Sequence, residues 1–263
     1  MINPLYFIEI PMIKRRFAHT CVIACALLFA QGMNAAASTI TTTEDAAIQA
    51  LQKAASEGDV YAQRDLGYRY RDGLGVAANP TTAYEYFLQA AQQGDRDAMA
   101  TVAEIYRMGQ GTETNPTEAF NWYKKAAESG DPMSQFALAL LYKSGSGTEV
   151  NIPEAIRWYR QSAEQGVAAA QYNLSYMTAT GHDLPKDYVE AYSRIIIVIA
   201  LAGDRMLLLT AMAKDTKSFL AARMTKPQIK RAKLRAAAWL ADHPPAEYAN
   251  INVQRSDTTQ KTP

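Results

Sequence analysis

ASEGDVYAQRDLGYRYRDGLGVAANPTTAYEYFLQAA, residues 55–91, decides the fold, because its landmarks return at a fixed interval. Gly58 is followed by Gly94, Gly130 and Gly166, each 36 residues on. Gly73, Gly109, Gly145 and Gly181 keep the same step, and so do Ala83, Ala119, Ala155 and Ala191. Three series in one phase establish an internal repeat. A period in the range of roughly 20–50 residues marks an array of supersecondary units, each needing its neighbours to bury an apolar face.

Each unit divides into two helices. Helix A of the first unit is predicted from about Asp59 to Arg71, with Ala62, Leu66, Gly67 and Tyr70 on one face at helical spacing. Ala98, Val102, Ala103 and Tyr106 repeat that face, then Ser134, Leu138, Ala139 and Tyr142. The pairs Gly73/Gly75, Gly109/Gly111 and Gly145/Gly147 break the helix, since glycine enters positive φ without a Cβ penalty. Helix B opens at Asn79-Pro80 and Asn115-Pro116, a favoured N-cap followed by a residue tolerated at the first helical position. Glu118, Glu154 and Glu190 stand three residues after Asn115, Asn151 and Asp187, the spacing of a capping box. The packing face carries Tyr86-Phe87, Trp122-Tyr123 and Trp158-Tyr159. Small pairs such as Ala90-Ala91 and Ala126-Ala127 permit close helix contact.

The register extends both ways. Ala47, Leu51, Ala54 and Ala55 lie 36 residues before Ala83, Phe87, Ala90 and Ala91, which predicts a capping helix over 43–57. Four repeats follow at 58–93, 94–129, 130–165 and 166–201. Beyond a slip at Ala202-Gly203, a helical cap is expected over 203–242, with one helix from about Asp204 to Ala222. A second runs from Lys226 to Asp242, capped by Thr225. The polar tail 246–263 is expected to be disordered.

The stretch 55–91, the stretch ESGDPMSQFALALLYKSGSGTEVNIPEAIRWYRQSA at 128–163 and the units beside them resemble the Sel-1-like repeat, a relative of the tetratricopeptide repeat. The likeness runs from about Ala55 to Leu201, and MTKPQIKRAKLRAAAWL looks like the closing helix of bacterial members. The fourth unit departs from the pattern: Asp183 replaces the second loop glycine and Arg194-Ile195 replaces Trp-Tyr. Its run Ile195-Ile196-Ile197-Val198-Ile199 is apolar all round, which fits either burial against the C-terminal helices or simple decay of the repeat. The resemblance implies an all-α, right-handed α/α superhelix of antiparallel helix pairs. It also implies scaffold or adaptor roles, with no shared catalytic residues.

In tetratricopeptide-like arrays helix A lines the concave face. Helix-A positions left free by packing therefore become candidate partner-binding residues: Arg64, Tyr68, Arg71, Glu104, Arg107, Phe136, Leu140, Lys143, Tyr172 and Tyr176. Arg71, Arg107 and Lys143 form a column of cations suited to carboxylates, and Tyr68, Leu140 and Tyr176, with Phe136 and Tyr172 beside them, an apolar one. The competing expectations are that the cations complement the helix dipole and that the aromatics pack between repeats.

The ends and the composition bound the rest. Lys14-Arg15-Arg16, an apolar run from about Cys21 to Ala30 and the small residues Ala35-Ala36-Ala37 read as a secretory signal over 1–37, with Met12 an alternative start. A lipidation box ending at Cys25 is a weaker reading, because the apolar run continues past it. Without 1–37 the chain has 24 basic and 25 acidic residues and no cysteine, so disulfides and thiolate metal sites are excluded. A net charge of +1 gives no global pull toward nucleic acid or acidic lipid, and no basic patch is apparent. His182 and His243 are too few for a metal site, and Gly145-Ser146-Gly147 is a loop, not a nucleophile elbow. No catalytic residue, cofactor or metal is expected. The expected partner is a protein, the location periplasmic, with no stable membrane insertion once the signal is removed. Two other readings stand: a secreted or surface factor contacting host proteins, and a binder of cell-wall glycan or a small ligand.

Overall fold

The computed structural model describes residues 45–244. The signal-like segment 1–37, Cys25, the tail 246–263 and residues 43–44 of the anticipated capping helix lie outside them. The chain separates into two units, 1–51 and 52–263. Of the first, residues 45–51 are described, and they are helical.

The second unit begins with helix over 52–56 and continues as paired helices. α1 (Val60–Asp72) and α2 (Pro80–Gln92) form the first hairpin, α3 (Arg96–Met108) and α4 (Pro116–Glu128) the second. α5 (Pro132–Ser144) and α6 (Ile152–Glu164) form the third, α7 (Ala168–Thr180) and α8 (Tyr188–Ala202) the fourth. α9 (Leu207–Ala221) and α10 (Lys226–Asp242) close the unit. From α1 to α9 each helix packs on the next, giving an α/α solenoid of repeated helix pairs. Among the described residues there is no strand.

The caps explain the equal helix lengths. Asp59, Asp95 and Asp131 each accept the N–H of the third helical residue through their carboxylates, at 2.8, 2.8 and 2.6 Å. Gly73, Gly109, Gly145 and Gly181 end the A helices at φ 71–76°. Asn79, Asn115, Asn151 and Asp187 cap the B helices. The capping boxes expected at Glu118, Glu154 and Glu190 are only half formed. The backbone N–H of Asn115, Asn151 and Asp187 is already committed to the carbonyl of Tyr106, Tyr142 and Thr178, which staples the loop of each hairpin. The glutamates are thereby released: Glu154 pairs with Arg157, and Glu190 with Arg194 and Arg235. A complete capping box does form at Thr225 and Gln228 on α10.

A buried glutamine ties one repeat to the next. Gln63, Gln135 and Gln171 donate to the carbonyls of Ala55, Ala127 and Ala163 at 3.1–3.2 Å, satisfying the end of the preceding B helix. Their own amide oxygens accept from Gln93, Gln165 and Arg194, each at 2.7 Å. The second repeat has Met99 and Ser129 in the two places and does without the relay. In the fourth, Leu201 replaces the donor glutamine, and Arg194 reaches across from the tryptophan position to supply it.

The fourth unit is where the array changes character. α8 is packed by α7, α9 and α10 together, so Ile195, Ile197 and Val198 are buried and Ile196 and Ile199 pack at their edge. The all-round apolar run thus reflects burial against the C-terminal helices. Asp183 adopts φ +70°, matching Gly75, Gly111 and Gly147 at +72°, +85° and +73°, and keeps the loop conformation without glycine.

Candidate protein-binding face

The candidate positions lie on α1, α3, α5 and α7, the first helix of each hairpin. Arg64 is not free there: its guanidinium lies 2.8 Å from Asp95, the cap of α3, and 3.3 Å from Asp97, bridging two repeats. Tyr68 is half-buried, edge-on to Phe87 at 4.9 Å between centroids. Arg71 forks onto Asp72 at 2.7 and 2.8 Å and covers the Tyr68 ring. Arg107 forks onto Glu104, which also accepts the Tyr123 hydroxyl at 2.6 Å. Those bonds, from Arg107 first and Tyr123 second, hold the Glu104 carboxyl below its usual range despite partial burial. Burial, with Glu104 beside it, raises Tyr123.

The expected ladder of free cations is therefore corrected. Two of its rungs are neutralised by acids one or three residues away, and Lys143 alone of the three has no carboxylate partner among the described residues. Asp72 and the candidate residue Glu104 stand outside the cationic column but within reach of it.

The apolar residues are arranged differently along the array. Phe136 is half-buried against Tyr159. Leu140 is 42% exposed and Tyr176 55% exposed. Leu140 occupies the place that Glu104 holds one repeat earlier, so the Tyr159 hydroxyl, buried like that of Tyr123, finds no protein partner. Burial pushes the Tyr159 phenol up to about 12.

Tyr172 and Tyr176 come together at the C-terminal end of this face, in a cleft of about 590 Å³. Its walls are Tyr172, Tyr176, Ala179 and Thr180 of α7, Lys186 in the loop that follows, Tyr188 at the start of α8, and Asp215, Thr216 and Phe219 of α9. The Tyr172 hydroxyl meets Thr216 at 3.4 Å. The Lys186 ammonium lies 4.9 Å over the Tyr188 ring, and the Arg223 guanidinium 3.5 Å over Phe219, which is 52% exposed. The cleft thus combines aromatic walls with one cation, Lys186, and one acid, Asp215, among its lining residues.

Sequence reasoning found two of these side chains and missed Lys186, Tyr188, Asp215, Thr216 and Phe219. The signal available was on α9, where Leu208, Met212 and Phe219 follow i, i+4, i+11, a second apolar row broken by Asp215 at i+7 and turned away from buried Ala213 and Leu220.

Elsewhere, His182 is exposed 3.5 Å from Asp183, and His243 stacks on Trp239 at 4.2 Å. Among the described residues no group of three or more His, Cys, Asp or Glu is placed to hold a metal, and no helix is long and apolar enough to cross a membrane.

Comparison with known proteins bears on the fold. The Sel1 repeat profile matches residues 60–95, 96–131, 132–167 and 168–193. No curated protein matches the chain. Among solved structures, the chain is similar to c5321 of uropathogenic Escherichia coli, described as a protective antigen displaying an SLR fold. Identity is 27% and the TM-score 0.65, over 82% of this chain and 44% of that one. It is also similar to a Sel1 repeat protein from Oxalobacter formigenes, at 27% identity and a TM-score of 0.59, over 75% and 82% of the two chains. The chain thus spans less than half the length of the Escherichia coli protein.

Proposed function

The chain belongs to the Sel1 repeat family, whose members generally act as non-catalytic protein–protein interaction modules, and on that premise we propose that it holds a segment of a partner protein along its helix-A face within the bacterial envelope. The observation that carries this reading is the cleft of Tyr172, Tyr176, Tyr188 and Phe219. Large aromatic surface is left open there, and such rings in a concavity with a polar rim are the usual anchors of a protein interface. Leu140 and Lys143 continue the face toward the N-terminus. The envelope location rests on the signal-like 1–37.

Affinity capture from the native envelope tests it. The chain and its Tyr176→Ala/Phe219→Ala variant are used as bait, with Glu85→Gln on the exposed side of α2 as control. The double change is expected to weaken capture of a discrete partner at least about tenfold, the scale of losing one or two interface anchors. The control is expected to keep it. An identical captured set for all three baits would remove the cleft from the reading.

A second reading is favoured by the same cleft's polar lining. Asp215 and Thr216 beside tyrosine faces also suit a sugar ring, so a cell-wall glycan is the alternative occupant. Saturable calorimetric binding of purified muropeptides, lost in Tyr176→Ala, would decide for glycan over protein.

A further inference from the structure

Helix α10 carries charge of one sign. From Lys226 to Ala241 there are five cations and no acid. From Gly203 to Pro244 nine Lys and Arg stand against three Asp and Glu, whereas from Gly58 to Ala202 twelve stand against seventeen. The whole-chain balance of +1 hides this division, and the absence of a basic patch inferred from it is corrected here.

The cations are also differently placed. Along the repeats seven of the twelve have carboxylate partners, Arg64, Arg69, Arg71, Arg107, Lys124, Arg157 and Arg194. On α10 only Arg235 does, with Glu190; Lys226, Lys230, Arg231 and Lys233 are exposed without one among the described residues. Like charges at i, i+4 and i, i+3 destabilise the helix that bears them. Capping a solenoid calls for a polar outer surface, not for one sign of charge.

The orientation of α10 is fixed. Ala232 and Ala236 are buried, Arg235 reaches Glu190 and the Trp239 indole donates to Glu164 at 3.1 Å. Helical geometry then puts Leu234, Ala237, Ala238 and Ala241 in an outward stripe that Lys230 shares, with Lys226 and Lys233 on one flank and Arg231 and Arg235 on the other. Leu234 is 63% exposed, and with Ile229 and Ala237 it floors a depression of about 470 Å³ rimmed by the three lysines.

We propose that the outward face of α10 docks this protein on an anionic bilayer, with its lysines and Arg231 on lipid phosphates and Leu234 among the upper acyl carbons. Cations flanking an apolar stripe on both sides are the arrangement of a helix lying in the interface plane. A nucleic-acid duplex would set Leu234 and the alanine stripe against phosphates, leaving the apolar floor unused. A rigid acidic protein would have to match cations on two flanks over about 14 Å of helix, whereas mobile headgroups adjust to them.

The test is partition of the full chain onto sucrose-loaded vesicles of mixed phosphatidylglycerol and phosphatidylcholine, against pure phosphatidylcholine. Each lysine near an anionic surface is worth about fivefold in partition, so Lys226→Gln/Lys230→Gln/Lys233→Gln is expected to lose on the order of a hundredfold. Lys53→Gln/Lys124→Gln/Lys125→Gln, the same charge change elsewhere, is expected to bind as wild type. Both variants share the N-terminal segment, so the difference isolates α10, and circular dichroism checks that both are folded. Loss of binding in raised salt and a further drop with Leu234→Ser complete the expected result. Equal partition of the two triple variants would overturn the proposal. So would binding of the wild type to a DNA duplex, or to an acidic polypeptide, as tight as to the vesicles at matched charge.

Discussion

Tyr123 and Tyr159 stand one repeat apart and illustrate what a single exchange does. The first gives its hydroxyl to Glu104; the second, with Leu140 in that place, gives it to no protein atom. A buried hydroxyl left unpaired costs about 1–3 kcal/mol. Leu140→Glu is therefore expected to raise stability by about 1 kcal/mol in urea unfolding while weakening partner capture, since it removes an exposed apolar group from the face. Tyr159→Phe, the residue type of Phe87, is expected to be neutral or mildly stabilising. Stabilisation by Leu140→Glu with capture intact would place Leu140 outside the interface. Glycines give a second contrast. A Cβ on Gly111 would lie 2.1 Å from the Pro80 carbonyl oxygen, while one on Gly58 meets nothing within 4 Å; both residues have positive φ. Gly58→Ala should cost about 1 kcal/mol for backbone strain, and Gly111→Ala at least about 2 kcal/mol more, because the contact lies between consecutive hairpins. Equal midpoint shifts in denaturation would contradict that. Glu104 supplies the pH dependence. Its folded pKa lies below the ordinary glutamate value, so its contribution is present above that value and lost as pH falls through it toward the lower one. Glu104→Gln should accordingly lose less stability than wild type between about pH 5 and pH 3, followed by thermal unfolding.

At the scale of the element, the helices were the most legible part. The 36-residue beat, the glycine pairs and the Asn-Pro starts specify where a hairpin begins and ends, because caps are local chemistry. Long-range bonds were less legible. The spacing that suggested capping boxes at Glu118, Glu154 and Glu190 was right for the backbone half, but the other half lost its donor to a carbonyl nine residues back, as in Asn115 to Tyr106. The Gln63–Gln93 and Gln135–Gln165 relays were present in the sequence as paired residues 30 apart, and their partners become apparent only once neighbouring repeats are stacked. They offer a cycle. Gln135→Met should cost about 1–3 kcal/mol, since it strands the Gln165 amide and the Ala127 carbonyl. Adding Gln165→Ser recreates the second repeat's Met99 and Ser129, and should recover part of that loss. Strict additivity of the two changes would show that the relay is not a unit. The same reasoning accounts for Arg194: it occupies a tryptophan position because Gln171 lacks its usual donor and Glu190 stands beside it.

For the molecule as a whole, periodicity specified the array but not its surfaces. Alternating hairpins bury the repeated residues, so the positions that differ between repeats are the ones exposed on helix A. That is why the candidate face could be located at all. Its content was legible only in part. Neutralisation of Arg71 and Arg107 depends on side-chain reach, and the cleft depends on α9, which lies outside the repeat and obeys none of its phase. Net charge was the least informative number. An acidic array and a basic cap cancel in the sum, yet they present different surfaces.

Site-specific photo-crosslinking in the native envelope tests the central claim most directly, with the photoreactive residue placed at Tyr176 and, separately, at Arg160 on the exposed side of α6. The account predicts a discrete adduct from position 176 whose mass-spectrometric fragments map to one segment of one partner protein, and none from position 160. Adducts from position 160 alone, or no protein adduct from 176 in cells that contain the chain at its natural level, would contradict it.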